Sequence, residues 1–498
     1  MTYKKYDLGI WWIKRDLRLL DNPALNQALQ LCDRVLPVFV LEPDWLRAED
    51  SSSFHVHAVL QALADLRESL QARGSTLVLL QGRISEVLSF LQQQHPFGAL
   101  FSHQETGTDR STARDREVES WCRARTVDWH QPMQTAVFRE GGRSQRESRW
   151  RGWINEPILP VPERIPSPET NLGQAMPRLE QLGLWLPAGV PDQPELQMVS
   201  ERMARRTLQT FLAQRGETYA PDVDSPLLAQ EHGSRLSVHL AWGTISPRLV
   251  WQQSRRRIRS LDDAEDESAR RWQASLEAFR TRLHWRDHFI QRLASEPEME
   301  FRAMHPAYRY LPMEQRHAHR FLQAWSSGQT GYPLVDAAMR CLNATGFVNF
   351  QLRAMLVSFA CHVLHLDWRS IHPHLARSFR DYEPGIHLSQ LQMQAGVSGI
   401  NGLRVYSPLR QLMLRDPQLQ FVLQWVPELK GATLAALTLG EPGSFDYPAP
   451  IVEFGPRARQ TLEQIYAIKR AEQRSPATLE VVNKHADRPR RKPLAEAS

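Results

Sequence analysis

The chain has 498 residues, of which 42% are hydrophobic and 23% charged, and its 61 basic against 55 acidic side chains give a formal charge of +6. One ordinary core does not serve that length, so two or three packed units are expected, and without low-complexity blocks the chain can bury enough apolar surface to offset its entropy. The excess of positive charge is compatible with a polyanionic partner such as DNA but is weak evidence alone; Lys14 and Arg15 follow a short apolar run too closely for a secretory leader or a membrane span, which makes the cytoplasm the expected compartment.

Through residues 1–131 short β-branched or aromatic runs alternate with amphipathic stretches. Strands are expected at 8–13, 35–40, 76–80, 99–102 and 126–129, and helices at 22–31, 55–72, 84–94 and 112–123. This is the pattern of a doubly wound parallel α/β domain, and no GxGxxG or Walker motif accompanies it. Residues 132–200 are richer in proline and glycine and read as a linker with local structure. From 201 to 474 long segments of period 3.6, at 269–293, 318–325, 334–342 and 350–366, predict an all-α domain with no repeat of fixed period. The last stretch, 475–498, carries the basic run 488–492 and reads as a disordered tail. Cys32, Cys122, Cys341 and Cys361 have neither CxxC nor Cys/His ligand spacing, so buried thiols are expected and no metal site.

Three segments of the helical half suggest chemistry. In AFRTRLHWRDHFIQRL, Arg282, Trp285, Arg286 and Phe289 recur at helical spacing, and a face of aromatics and guanidinium groups suits a base or a flat cofactor ring. Taken alone, that segment is better explained as a buried Trp with snorkelling arginines. In GSRLSVHLAWGTISP, Gly233, Ser234 and Ser237 precede or open a helix, where exposed backbone N–H groups accept a pyrophosphate or simply form a capped turn. The carboxylates of RDYEPG, Asp381 and Glu383, fit an arginine or a ribose hydroxyl, or a polar turn before Pro384.

Taken together, WWIKRDLRLLDNPAL, SRLSVHLAWGTISP, HWRDHF, TGYPLVDAAMRCLNATGF, LRAMLVSFACHVLHLDWR and QWVPEL resemble, in sequence and order, the photolyase/cryptochrome superfamily over residues 7–471. The resemblance implies noncovalent FAD in the helical domain and an antenna chromophore of folate or deazaflavin type in the N-terminal domain. It implies a cofactor set of Tyr219, Gly233, Ser234, Arg235, Leu236, Ser237, Phe279, Arg282, Arg286, Arg353, Asp381, Glu383 and His387. Within that set Arg353 and Asp381 match the ion pair beside the flavin, and His387 matches the position facing flavin N5, where photolyases usually carry Asn. Gly233 stands where a hydroxyl residue is usual.

The resemblance further implies a lesion pocket and an electron relay. Trp285 matches the aromatic that packs on a flipped pyrimidine dimer, with Asn349, Phe350, Gln351 and Met393 as further DNA contacts. Arg282 replaces the Glu that bonds the dimer, Met393 the second pocket Trp and Phe350 a pocket Asn, so Trp285, Arg282, His387 and Met393 form the expected catalytic set. Trp368 matches the middle of the tryptophan relay, but Leu391 holds the proximal place, which leaves Tyr382 and Trp325 as alternative donors. The expected function is a DNA photolyase, a carbon-carbon lyase acting on pyrimidine lesions by electron transfer from reduced FAD; the alternative is a cryptochrome-type photoreceptor. A monomer without membrane attachment is expected.

Overall fold

The computed structural model describes residues 4–139, 143–173, 175–186, 196–262, 266–309, 311, 313–400, 402–438 and 445–485. The chain forms two compact units: Met1–Ala294 with Arg340–Gln351 and His372–His387, and Ser295–Met339 with Leu352–Ile371 and Leu388–Ser498. The first unit therefore takes in the α/β part, the connection after it and the first helices together, and does not stop at the boundaries expected near 131 and 200.

In the first unit five parallel strands, β1 (Tyr6–Ile13), β2 (Cys32–Leu41), β3 (Val78–Gln81), β4 (Ala99–Phe101) and β5 (Asp128–His130), lie in the order β3-β2-β1-β4-β5. Successive side chains of a strand point to opposite faces, and both faces are covered. Trp11 and Ile13 enter one core with the helices Pro23–Leu31 and Ser53–Gln71; Leu8, Ile10 and Trp12 enter another with Ile84–Gln94 and Asp109–Arg125. That double burial is why β1 reads as a continuous apolar run. Pro23–Leu31 starts on an Asn22 side chain that accepts from Leu25 N at 3.0 Å.

The connection contains the helix Arg143–Ile154 and is laid onto the sheet layer, where Ser167 Oγ donates to Val35 O at 2.6 Å. Helices Glu201–Thr210 and Pro247–Arg259 are tied to the loop after β1. The Glu201 carboxylate accepts from the N–H groups of Leu19 (2.7 Å) and Leu20 (3.0 Å), and buried Arg248 forks onto Asp21 at 2.6 and 3.1 Å. Gly243 ends Ser237–Trp242 with φ +69°, and a Cβ there would lie 1.9 Å from the Arg15 carbonyl oxygen. Only glycine lets this helix end meet the second residue after β1, Arg15.

The second unit is helical. The TGYPLVD segment has a plain structural cause: buried Asp336 accepts from Thr330 N (2.8 Å), Thr330 Oγ1 (2.6 Å), Gly331 N (3.0 Å) and the Tyr447 hydroxyl. Burial pushes that carboxyl upward while these bonds oppose it. One expectation is corrected in this unit. Residues 475–498 read as a disordered tail, yet Pro476–His485 is a helix with Thr478, Val481 and His485 buried, and the Thr478 hydroxyl donates to Glu472 O at 2.7 Å. The basic run 488–492 lies outside the described residues. All four cysteines are free thiols, three buried and Cys361 half-buried. No helix among the described residues is long and apolar enough to cross a membrane.

Candidate functional site

Most of the residues matched to the cofactor fall in the first unit. The run Gly233, Ser234, Arg235, Leu236 and Ser237 is a tight turn into Ser237–Trp242. Arg215 donates to the carbonyls of Gly233 and, at 2.9 Å, Ser234, and Arg235 takes the left-handed φ of +56°. A Cβ on Gly233 would meet Ala229 O at 2.2 Å, so the hydroxyl residue usual in the family has no room at this backbone position. The Arg235 guanidinium covers the Phe347 ring at 3.8 Å. Arg286 reaches Asp287 (2.8 Å) and the Leu240 carbonyl (3.3 Å). Tyr219 and Phe279 are buried edge to face, 5.8 Å apart and both against Phe211. Phe279 is thus part of the core beneath the site and not one of its open contacts.

The RDYEPG turn is the electrostatic centre of the unit. Arg15, two residues after β1, donates from Nη1 to Tyr382 O at 3.0 Å and to Glu383 Oε2 at 3.4 Å. Burial raises the Glu383 carboxyl above its ordinary range, with Arg15 and Arg286 acting against the shift. Its Oε1 is buried without a well-formed hydrogen bond, and so suits a hydroxyl donor. Asp381 is half-buried beside it. His387 is buried, its Nε2 3.0 Å from His372 Nδ1, and burial takes His372 down to about 4, so His372 is neutral at pH ~7. Gly385 permits this turn to press on Glu267–Ser295: a Cβ there would lie 2.6 Å from Ile290 Cα.

On the same long helix Trp285 is 37% exposed, and the Arg282 guanidinium lies 5.6 Å from its ring and 5.1 Å from that of Phe350. This is an open face of two rings with a cation between them, with Gln351 half-buried next in sequence. Asn349 does not belong to that face. It is buried and its amide donates to Val223 O at 3.1 Å, so its side chain anchors the backbone after Tyr219.

A cavity of about 340 Å³ opens at the carboxyl ends of the strands, lined by Lys14 and Arg15 after β1, Glu42 and Trp45 after β2, Arg83 after β3 and Glu105 after β4. That crevice is where open α/β sheets hold ligands. Its charges are mutually compensated. Lys14 Nζ lies 3.0 Å from Asp115, and Arg114 reaches Glu105 at 2.6 Å, Asp115 at 2.9 Å and Glu42 at 3.2 Å. Burial opposes ionisation of Glu105, but Arg114 and Lys14 outweigh it and hold the carboxyl well below its ordinary range. Asp50, His55, Trp242 and Tyr382 complete the wall.

In the second unit, Arg353 and Met393 are half-buried, Trp368 and Leu391 are buried, and Trp325 is fully enclosed with its indole N–H donated to Leu356 O at 3.2 Å. Arg353 and Asp381, expected as a pair, thus belong to different units.

Comparison with known proteins decides the family. The profile described as the FAD binding domain of DNA photolyase matches residues 279–467, and that for DNA photolyase matches 9–146. A deoxyribodipyrimidine photo-lyase of Synechococcus sp. is 30% identical over 91% of this chain and 95% of its own length. The chain belongs to the photolyase/cryptochrome superfamily. A Thermus thermophilus deoxyribodipyrimidine photo-lyase is 32% identical over 84% of this chain and 91% of its own, and a Natronomonas pharaonis cryptochrome DASH is 26% identical over 91% and 99%. Among solved structures, a bacterial class III photolyase from Agrobacterium tumefaciens superposes with a TM-score of 0.79 at 23% identity, covering 94% of this chain and 99% of that one. An archaeal photolyase from Sulfolobus tokodaii, solved with two FAD molecules, gives 0.73 at 26% identity, covering 92% and 99%.

As a superfamily member the chain carries the family's FAD-binding domain, and its donor set fits that group. The set offers a buried carboxylate oxygen for a hydroxyl, a turn built on Gly233 and Arg235, and guanidinium groups for phosphate. Sequence reasoning did not single out Arg15, Asp50, His55, His372 and Trp242, which the structure brings to this turn and cavity; of these only Arg15 carried a signal, its place two residues after the first strand of a doubly wound sheet.

Proposed function

We propose that this chain is a blue-light-driven DNA photolyase that repairs ultraviolet pyrimidine lesions. The observation that carries the reading is the Trp285 face. An exposed indole with Arg282 beside it lies on the helix that also bears Arg286 and packs on the Glu383–His387 turn. Base extrusion needs such a stacking surface, and Arg282 places a cation where a phosphate or an added negative charge would come. FAD, when bound, supplies a light-absorbing ring that in its reduced state gives up one electron. The chain's residues would do the rest: Glu383 and Asp381 would hold and polarise the cofactor, Ser234, Arg235, Leu236 and Ser237 would take its phosphates, and His387, hydrogen-bonded to neutral His372, would face the ring. The cavity at the strand ends, with Trp12, Trp45 and Trp242 in its wall, suits a second flat chromophore. The test is to give the reduced protein oligonucleotides containing a cyclobutane dimer or a (6-4) photoproduct under blue light and count restored thymines. Restoration of neither would sink the reading.

Specific observations favour a second reading, a cryptochrome-type photoreceptor. Arg282, Phe350 and Met393 replace the usual lesion contacts, and Leu391 interrupts the relay. Illumination that changes protease sensitivity without repairing either lesion would select it.

A further inference from the structure

Tyr382 lies in the wall of the strand-end cavity and also against the residue matched to flavin N5. It is buried, and its ring centroid lies 5.3 Å from that of His387 at an interplanar angle of 72°. Its hydroxyl donates to Asp50 Oδ2 at 3.1 Å, and the other oxygen of Asp50 takes Arg110 Nη1 at 3.0 Å. Burial alone would raise the Asp50 carboxyl. The charge and hydrogen bond of Arg110, with the bond from Tyr382, outweigh it and hold the group below its ordinary value, so it is an ionised acceptor at neutral pH.

We propose that Tyr382 supplies the electron for light-driven reduction of the flavin and that Asp50 takes its phenol proton in the same step. The proposal rests on the reading that FAD lies against His387. In the step the phenol O–H bond breaks, the proton goes to the Asp50 carboxylate, and one electron goes to the photo-excited oxidised flavin, leaving a neutral tyrosyl radical. An added thiolate then refills the radical with one electron while Asp50 returns the proton, and the two thiyl radicals from two such events couple to one disulfide.

The surroundings decide why the hole stays on Tyr382. His55 is stacked on it at 5.7 Å and 17°, and Trp242 lies 5.6 Å beyond His55, so a ring of lower intrinsic oxidation potential is close by. A hole on Trp242 would be a cation, however, and the Arg15 guanidinium sits 4.7 Å from that ring. The Trp242 N–H is bonded to Arg380 O at 3.0 Å, a backbone carbonyl that cannot keep a proton. Creating a second cation beside Arg15 is expensive, whereas moving a proton along an existing bond neutralises the Asp50 carboxylate and places no cation on the ring. Leu391, at the family's proximal position, cannot be oxidised.

The test uses the full chain with bound FAD and the variants Tyr382→Phe, Asp50→Asn and Trp368→Phe. FAD per chain, the electron paramagnetic resonance spectrum after freeze-quenched illumination with and without ring-deuterated tyrosine, and the photoreduction rate with a thiol in H2O and D2O would be measured. The wild type should give a radical whose spectrum narrows on deuteration. Tyr382→Phe should lose it and slow photoreduction by about tenfold or more at unchanged FAD content, and Asp50→Asn should slow it and lose the D2O effect. Trp368→Phe should leave the tyrosine radical in place. A full rate and radical in Tyr382→Phe overturns the proposal, as does a radical lost only in Trp368→Phe. If Tyr382→Phe does not fold, an unchanged rate and isotope effect in Asp50→Asn overturns it. A wild-type protein that takes up no FAD overturns the functional reading itself, which separates the two failures.

Discussion

Replacing Trp285 with alanine tests the lesion face directly. Trp285 is 37% exposed, so truncation opens no sealed cavity, and the cost to folding should stay below about 1 kcal/mol. What the variant loses is a platform. Stacking of one extruded base on an aromatic contributes ~1–3 kcal/mol, and at tenfold per 1.4 kcal/mol the lesion affinity should fall ~5- to 150-fold. The Arg282 cation, 5.6 Å from the ring, loses its partner but keeps the Phe350 face at 5.1 Å, which holds the secondary loss near the low end of the ~0.5–1 kcal/mol typical of exposed pairs. An undamaged duplex extrudes no base and is held by its phosphates, so its affinity should change by less than about twofold while remaining steeply salt-dependent. Fluorescence anisotropy on matched duplexes with and without a cyclobutane dimer, at two salt concentrations, reads both numbers, and a melting curve checks the fold. Equal losses on the two duplexes would refute the assignment of Trp285 to the lesion pocket.

The site and fold readings give further expectations. Arg353→Ala and Asp381→Ala should each lower FAD per purified chain; full occupancy with an unaltered flavin spectrum in both would remove them from the cofactor site. Burial holds His55 and His372 down to about 4 and His239 to about 3, against an ordinary 6.5. The unfolded chain therefore binds protons that the folded chain refuses, so the stability these groups allow is full above the ordinary histidine value and is lost as pH falls toward their folded values, on the order of 3–5 kcal/mol each. The melting temperature should drop from about pH 7 to about pH 5, and a flat profile would contradict the burial assigned to these imidazoles. Gly243→Ala, with φ +69° and a Cβ 1.9 Å from Arg15 O, should destabilise the first unit by roughly 2 kcal/mol or more, which a melting curve at unchanged temperature would disprove.

The sheet was legible because its strands are apolar on both faces: Leu8 to Ile13 is a run no half-exposed strand would carry. The ends were less so. β3 begins at Val78, after an expected start at 76, and β5 is only Asp128–His130, because hydrogen-bonded register, not residue type, sets where a short strand stops. The helix Pro476–His485 was missed because what orders it is a tertiary anchor, the Thr478 hydroxyl on Glu472 O with His305 Nε2 2.9 Å away, which no periodicity announces. The burial of Asn349 and its bond to Val223 O were illegible for a related reason: sequence gives the residue type but not which way its side chain turns. The Asp50–Tyr382 bond joins positions 332 residues apart, and Asp50 sits in an unremarkable polar stretch, so nothing local marked it.

Arg15 shows how the two halves of the first unit share one electrostatic problem. Its guanidinium lies over Trp242 and between the Tyr382 carbonyl and Glu383, and its own backbone is fixed by contact with Gly243. A carboxyl as enclosed as Glu383 tends to keep its proton, and the charges of Arg15 and Arg286 are what oppose that. An ionised Glu383 accepts a hydroxyl proton from a ligand, whereas a protonated one would compete with it as a donor. The same charge that opposes the upward shift of Glu383 also disfavours a cationic hole on Trp242 and, on the proposed route, would leave Tyr382 as the ring oxidised at least electrostatic cost. On the proposed route, a residue two positions beyond the first strand of the α/β layer would bear on both the binding chemistry and the choice of electron donor some 370 positions along the chain.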